Sequence, residues 1–387
     1  MKRIGEPILF YCSRYCQKKG KEHNENIMIK ELKNAIIVLV LAIFCVFPSS
    51  IFAATDSTSR TFIISIGEKE SSAIERMVDQ KIIKNKRFFD FALDRLKLHK
   101  KIREGGYKLD SKMNDLQVLV SFIKGPYMEW VVIPEGFRKE QIVERLADRL
   151  GWNDEQKNEW ISVTTVSDPE YVEGVYFPDT YLLPKNESGE EIAKRFINRF
   201  NEKFGSYLPG FAEKNIKWTT ALKVASLVQR EAASKEDMPL VAGIIWNRLE
   251  QDMKLDIDAT IQYAADTRNH FDCNKCKDND SEASRNGLCY KSSLFDCDVT
   301  YRGGDDWWGK VNVDDKKIDS PYNTYTNKGL PPYPISNPGI DAIEATLIPI
   351  ETDCLYYLHD SNHSIHCSKT YEDHLKNISL YLKRALS

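Results

Sequence analysis

No glycine-rich phosphate loop, no Ser/His/Asp order and no HExxH pair occurs in these 387 residues, so phosphoryl transfer, serine hydrolysis and zinc proteolysis have nothing to stand on. An excess of positive charge is missing too. Lys+Arg 54 against Asp+Glu 57 gives a net charge of −3, which argues against a dedicated nucleic-acid binder. With 15 Pro and 19 Gly the chain is neither collagen-like nor low-complexity. A mean hydropathy of −0.45 excludes a polytopic membrane protein, though not a single anchor. What is present is 42% hydrophobic and 29% charged residues, enough to bury real cores, over a length that suggests two or three globular pieces.

The exception to the polar average is AIIVLVLAIFCVF, thirteen unbroken apolar residues from Ala35 to Phe47. With PSSIFAA it extends to Ala54 as twenty uncharged residues preceded by Lys30 and Lys33, the pattern of an export signal. Twenty residues suffice to span a bilayer, and the small residues before Ala54 are an imperfect cleavage site. The expectation is an uncleaved single-pass anchor with its basic flank inside; the alternative is secretion after cleavage. Residues 1–34 then form a short cytoplasmic stretch. Met28 is a candidate true start, because MIKELKN followed by the apolar run makes an ordinary signal.

Of nine cysteines, Cys12, Cys16 and Cys45 precede or lie within the signal. Cys273, Cys276, Cys289, Cys297, Cys354 and Cys367 remain on the exported side, an even number that favours disulfides. The first four allow a thiolate zinc site as an alternative. However, the second pair is separated by seven residues where a zinc ribbon has two. Cys354 and Cys367 flank a hairpin turning near Ser361-Asn362, where they could face each other and clip the strands. His359, His363 and His366 on that hairpin are expected to be solvated polar positions rather than a metal site.

TFIISIGEKESSAIERMVDQ, starting at Thr61, has a partner in WVVIPEGFRKEQIVERLADR, starting at Trp130. Phe62 matches Trp130, Ile64 matches Val132, Ile74 matches Ile142 and Val78 matches Leu146. Each copy is an alternating strand, a Gly/Glu turn and an amphipathic helix. Helices at 88–98 and 113–124 between them complete an α+β module. Beyond Tyr171 the pattern gives a Pro/aromatic turn (FPDTY) and helices at 189–204, 219–232 and 238–249. An irregular Cys-bearing stretch and a Pro-rich loop (SPYNTYTNKGLPPYPISNPG) follow. A helix at 340–346, the hairpin and a helix at 371–386 close the chain.

In TTALKVASLVQREAA, Val224, Leu227 and Val228 fall at i, i+3 and i+4, and the residue at i+7 is Glu231. A carboxylate on an apolar helix stripe is costly to desolvate, and it responds by raising its pKa, as a general acid requires. The alternative is a structural bridge to a basic residue such as Arg248. Tyr322, Asn323, Tyr325 and Asn337 in the Pro-rich loop suggest a groove wall that stacks on and hydrogen-bonds sugars; an ordinary connection is the competing reading.

FPDTY, ASLVQREA, WNRL followed by LDIDATIQYA, SPYNTYTNKGLPPYPISNPG and SKTYEDHLKNI, in that order, resemble the MltG/YceG-like family of endolytic murein transglycosylases. The resemblance spans most of residues 60–387. It implies a LysM-like module at 60–160 and a mixed α+β catalytic domain at 170–387, with residues 267–319 as an insert. It places the catalytic glutamate on Glu231 and gives Asp258, Tyr322, Asn323, Tyr325 and Asn337 as substrate-binding candidates. The pattern departs at Gln229, where the family's first acidic residue stands, at Asp256 and Ala259 in place of Gln and Pro, and at Tyr333 in place of Gly. No metal and no cofactor is implied. The expected substrate is peptidoglycan glycan strands, with peptidoglycan synthases as partners, no nucleic acid, and an inner-membrane location with the catalytic part on the periplasmic side. The runner-up is a wall-binding scaffold that has lost activity, which the altered LDIDATIQYA segment favours.

Overall fold

In the computed structural model the described residues are 60–166, 172–276, 297–301, 303–304 and 306–382, with backbone alone for 271–276 and 297–300. The anchor segment 35–54, the start at Met28 and Cys12, Cys16, Cys45 and Cys289 lie outside the described residues. Among the described residues no helix is long and apolar enough to cross a membrane. Those from Thr61 onward belong to one compact unit.

The described residues begin with strand β1 (Arg60–Ile64), helices α1 (Glu70–Asp79) and α2 (Lys86–Leu96), strand β2 (Gly105–Leu109) and helix α3 (Asp115–Lys124). The second βα copy follows as β3 (Met128–Val132) and α4 (Lys139–Leu150), then come α5 (Asp154–Ser162) and β4 (Thr180–Pro184). These strands form one sheet in the order β1-β2-β3-β4, with β2–β3 and β3–β4 antiparallel. β4 grows out of the FPDTY turn, which carries too little alternation to be read as a strand. Reciprocal caps start α3 (Asn114 with Gln117), α5 (Asn153 with Gln156) and the next helix, α6 (Gly189–Gly205; Ser188 with Glu191). Each satisfies backbone donors that have no intrahelical acceptor.

The two βα copies bury opposite strand faces. In the first, Phe62 and Ile64 point inward and close a core with Met77, Phe89, Tyr107 and Phe122. In the second, Val131 and Ile133 point inward while Val132, the match of Ile64, is 47% exposed. Because side chains alternate along a strand, that one-residue offset sends the second copy to a different core. There Val131, Ile142 and Leu146 pack with Trp160, Tyr176, Phe196, Phe204 and Leu222. Residues on both sides of the expected 160–170 boundary therefore share one core. Trp130 still reaches the first copy, donating from Nε1 to the Ile64 carbonyl at 2.9 Å.

Among the described residues the remaining α-helices are α7 (Leu208–Glu213), α8 (Trp218–Glu231), α9 (Met238–Glu250), α10 (Asp258–His270), α11 (Ile340–Leu347) and α12 (Tyr371–Asn377). Between them lie the hairpins β5 (Phe271–Cys276) with β6 (Cys297–Tyr301) and β7 (Tyr356–His359) with β8 (Ile365–Ser368). The last helix was expected to reach residue 386; its α-helical part ends at Asn377 and a wider π turn covers Ile378–Leu382. The expected irregular stretch contains the β5–β6 hairpin, whose register sets Cys276 opposite Cys297.

Helix α8 lies between two cores. Ala221, Leu222 and Ala225 pack into the core of the second βα copy. Val224, Leu227 and Val228 pack into a third core with Val241, Ile245, Ile257, Tyr263, Tyr322 and Ile335. Arg138, fully buried at the start of α4, ties that copy to α10. It donates to Glu140 Oε2 at 3.0 Å, the Tyr263 carbonyl at 3.2 Å and Thr267 Oγ1 at 2.6 Å. Its guanidinium also lies 3.8 Å from the Tyr263 ring centroid and 4.8 Å from that of Trp307. Only a planar, permanently charged fork serves these partners together. Arg138→Ala is expected to lose about 3–5 kcal/mol of unfolding free energy by stranding buried Glu140, with Arg138→Lys recovering only part of it in denaturant titrations.

Candidate active site

Glu231 is the last residue of α8, one turn beyond the buried Leu227 and Val228. Tyr357 Oη donates to Glu231 Oε2 at 2.6 Å, and the Ala259 backbone N–H in the first turn of α10 donates to the same carboxyl. The residue retains intermediate exposure, yet protein crowds its carboxyl. Loss of hydration raises its pKa above the ordinary 4.5 and outweighs the opposing pull of Tyr357 and Ala259; the Asp258 charge adds to the rise and Arg230 opposes it. The structural bridge to Arg248 does not form. Arg248 is spent on backbone carbonyls, at 2.6 Å from both Leu255 and Leu355.

Gln229, two residues earlier, points elsewhere: its Oε1 accepts from the Gly339 N–H at 2.9 Å, and its side chain bonds to Glu135. Glu135 presses against Gly339 so closely that any side chain there would collide with its carboxylate. Of the two acidic positions in the motif, only the one retained as Glu231 faces Tyr357 and α10.

The Pro-rich loop turns most of its polar groups inward. Asn323 is fully buried; its Nδ2 donates to the Lys316 and Ile318 carbonyls and its Oδ1 accepts from the Tyr325 N–H. Asn337 is also fully buried. It donates to the Phe137 carbonyl at 2.9 Å and Glu173 Oε1 at 2.7 Å, and accepts from the Tyr176 N–H at 2.8 Å. With both N–H donors spent and the side chains fully buried, neither amide is presented to a sugar, which corrects the expectation that they bind substrate. Tyr322 is likewise a core residue, 5% exposed and 4.7 Å from the Tyr263 ring. Loop geometry consumes these side chains because a long connection must satisfy its own buried backbone. Ser226 and Thr324 seat the same loop. Ser226 Oγ accepts from the Ile335 N–H at 3.1 Å, and Thr324 Oγ1 accepts from the Ile257 N–H at 3.0 Å.

Tyr325 and Asp258 are the candidates that come together at an accessible surface. Tyr325 Oη donates to Asp258 Oδ1 at 2.6 Å, and Lys316 Nζ donates to Tyr325 Oη at 3.0 Å. Asp258 is exposed, Tyr325 is half-buried, and the Glu231 charge reaches Tyr325 and helps to raise its pKa. Sequence reasoning missed Tyr357, Lys316 and Glu173. The first could have been sought in the alternation of CLYYLHDSNHSIHC, but nothing local to that hairpin says that it meets residue 231. Glu173, buried beneath Asn337, has its pKa pushed up to about 8, first by burial and then by the Glu140 charge.

The β7–β8 hairpin is anchored at its base. Asn247 Nδ2 donates to the Thr352 carbonyl at 2.6 Å, and Cys354 is disulfide-bonded to Cys367, as the spacing suggested. Gly243 lets the Ile350 carbonyl lie directly on α9 where a side chain would block it. The histidines are more engaged than a solvated turn implies. His366 lies 2.9 Å from Asp360 and stacks on Tyr381, and His359 lies 3.3 Å from Asp237. Among the described residues no three His, Cys, Asp or Glu gather as metal ligands would.

The YceG-like family model matches residues 62–380 of this chain. A Streptococcus pneumoniae (serotype 2) protein named endolytic murein transglycosylase is 25% identical over 369 residues, covering 86% of this chain and 60% of that protein. A Bacillus subtilis protein of the same name is 27% identical over 364 residues, covering 87% of this chain and 89% of that protein. The chain thus spans about three-fifths of the length of the pneumococcal relatives. The crystal structure of a yceG-like protein from Listeria monocytogenes aligns with a TM-score of 0.54 at 25% identity, covering 83% of this chain and 99% of that one.

Asn337→Ala strips a donor from buried Glu173 and an acceptor from the Tyr176 amide. It is expected to lower unfolding stability by about 2–4 kcal/mol. Denaturant titration checks this; an unchanged midpoint would return Asn337 to the list of ligand-facing groups.

Proposed function

The chain belongs to the YceG-like family, and from that premise we propose that it is an endolytic lytic transglycosylase cutting the β-1,4 bond between N-acetylmuramic acid and N-acetylglucosamine within glycan strands. The observation that carries the reading is the carboxyl of Glu231, crowded enough to raise its pKa above the ordinary range and bonded by Tyr357, while the nearby Asp258 carboxylate is engaged by Tyr325. A glycoside hydrolase needs a second carboxylate to activate water or form a covalent intermediate. A lytic transglycosylase uses the sugar's own C6 hydroxyl instead.

Protonated Glu231 gives its proton to the glycosidic oxygen as the C1–O bond breaks. The C6 oxygen of the muramyl residue then bonds to C1, and its proton passes to the Glu231 carboxylate. The acid is regenerated, no water is consumed, and the product ends in 1,6-anhydromuramic acid. Asp258 and Tyr325, beside this carboxyl and open to solvent, are the groups we assign to the sugar.

The same reading makes residues 60–160 a LysM-like glycan-holding module, with 35–54 as a membrane anchor and the enzyme on the exported side. The Cys354–Cys367 disulfide supports an oxidising compartment. Digesting purified peptidoglycan with residues 55–387 is expected to release 1,6-anhydromuramyl products detectable by mass spectrometry. Glu231→Gln should lower the rate at least about 100-fold, the scale of general acid catalysis. Hydrated reducing ends would identify a hydrolase, and glycan binding without cleavage by the unaltered protein would identify a scaffold.

A further inference from the structure

On the reading of Glu231 as the acid and base, we infer that Tyr357 is its positioning residue, holding one carboxyl oxygen from a disulfide-tied hairpin. The Tyr357 hydroxyl lies 2.6 Å from Glu231 Oε2, and the residues are 126 positions apart in sequence. The Ala259 N–H also donates to this carboxyl, so Tyr357 is the side-chain contact that fixes where Oε2 sits. Burial and the neighbouring Glu231 charge raise the Tyr357 pKa well above its usual value, so the phenol stays protonated and can only donate to a carboxylate.

The hairpin fixes where that hydroxyl sits. Tyr357 is directly opposite Cys367 in the β7–β8 register, and Cys367 is bonded to Cys354 on the strand's approach. Arg248 grips the Leu355 carbonyl from α9, and Asn247 grips those of Thr352 and Cys354. Tyr357 is therefore held from both sides of its own strand, by covalent and hydrogen-bonded clamps that do not involve Glu231.

A donor to the carboxylate favours its charged form, so Tyr357 stabilises the state Glu231 enters after giving up its proton and keeps its pKa from rising further. The other groups facing this pair are Asp258 and the Ala259 N–H from α10, Arg230 from α8, Arg248 from α9 and Tyr325 from the Pro-rich loop. His359 lies edge-on to Tyr357 at 6.0 Å, with Asp237 beyond it.

The test is the pH profile of kcat/KM on solubilised glycan strands, comparing the unaltered protein with Tyr357→Phe. Cleavage starts from protonated Glu231, so activity falls as pH rises through its pKa. Removing the hydroxyl should raise that pKa, moving the alkaline limb up by about one pH unit and cutting the plateau kcat roughly tenfold. A plateau loss with the limb in place would mean a merely structural contact and overturn the inference. Cys354→Ser/Cys367→Ser, with Tyr357 and Glu231 intact, should move the limb in the same direction; an unmoved limb would remove the hairpin from the mechanism. His359→Gln should leave the limb where it is; loss of the limb in this variant would overturn the assignment to Glu231. An unaltered protein that makes no anhydromuramyl ends would instead refute the enzymatic reading on which the inference rests.

Discussion

A carboxyl group stripped of water must be compensated or hold its proton, and much of the second half of this chain is arranged around that constraint at Glu231. Helix α8 is buried on both sides, between the core of the second βα copy and the core it shares with α9, α10 and α11. A helix held that way delivers its last residue to a fixed place. The compensation is partial: one phenol and one backbone N–H oppose the loss of hydration without cancelling it. A fully compensated carboxylate would be a poor acid, and an uncompensated one could not re-form after giving up its proton.

The supporting structure is polar as much as apolar. Arg138 joins α4 to α10 from a fully buried position, and the Trp307–Trp308 pair closes over the arginines: Trp307 lies against Arg138, and Trp308 stacks 3.9 Å from Arg230, next to Glu231 in the chain. The Pro-rich loop joins α8 through Ser226, the start of α10 through Thr324 and the Glu173 pocket through Asn337. Each connection has a buried polar group at one end. Such networks confer geometry when every member is satisfied and are expensive when one is removed.

The strand-turn-helix copies, helices α6, α8, α9 and α11 and the hairpin were legible because amphipathic spacing is a local property, whereas α7 and α10 were not read as helices. The different directions of Glu231 and Gln229 follow from the same periodicity: one meets Tyr357 and α10, the other Gly339. The facing of the second copy was not legible: Trp130 matches Phe62 by spacing, but which parity of a strand turns inward depends on the core it meets. The loop was misread for a related reason. Asn323 and Asn337 have the right chemistry for sugar, and nothing in the sequence says that backbone groups 5 and 200 residues away claim their amides first. Tyr357 could not have been assigned at all, because its meaning lies in a contact across 126 residues.

The claim beneath these assignments is that burial wins over hydrogen bonding at one carboxyl, and it can be measured without substrate. Carbon-13 labelling of the glutamate side chains, with Glu231→Gln to assign the resonance by its disappearance, gives the Glu231 titration directly by NMR. A midpoint above the ordinary 4.5 is the expected result. A midpoint at or below it would mean that Tyr357 and Ala259 dominate, that Glu231 is a settled carboxylate near neutral pH, and that the acid must be sought elsewhere.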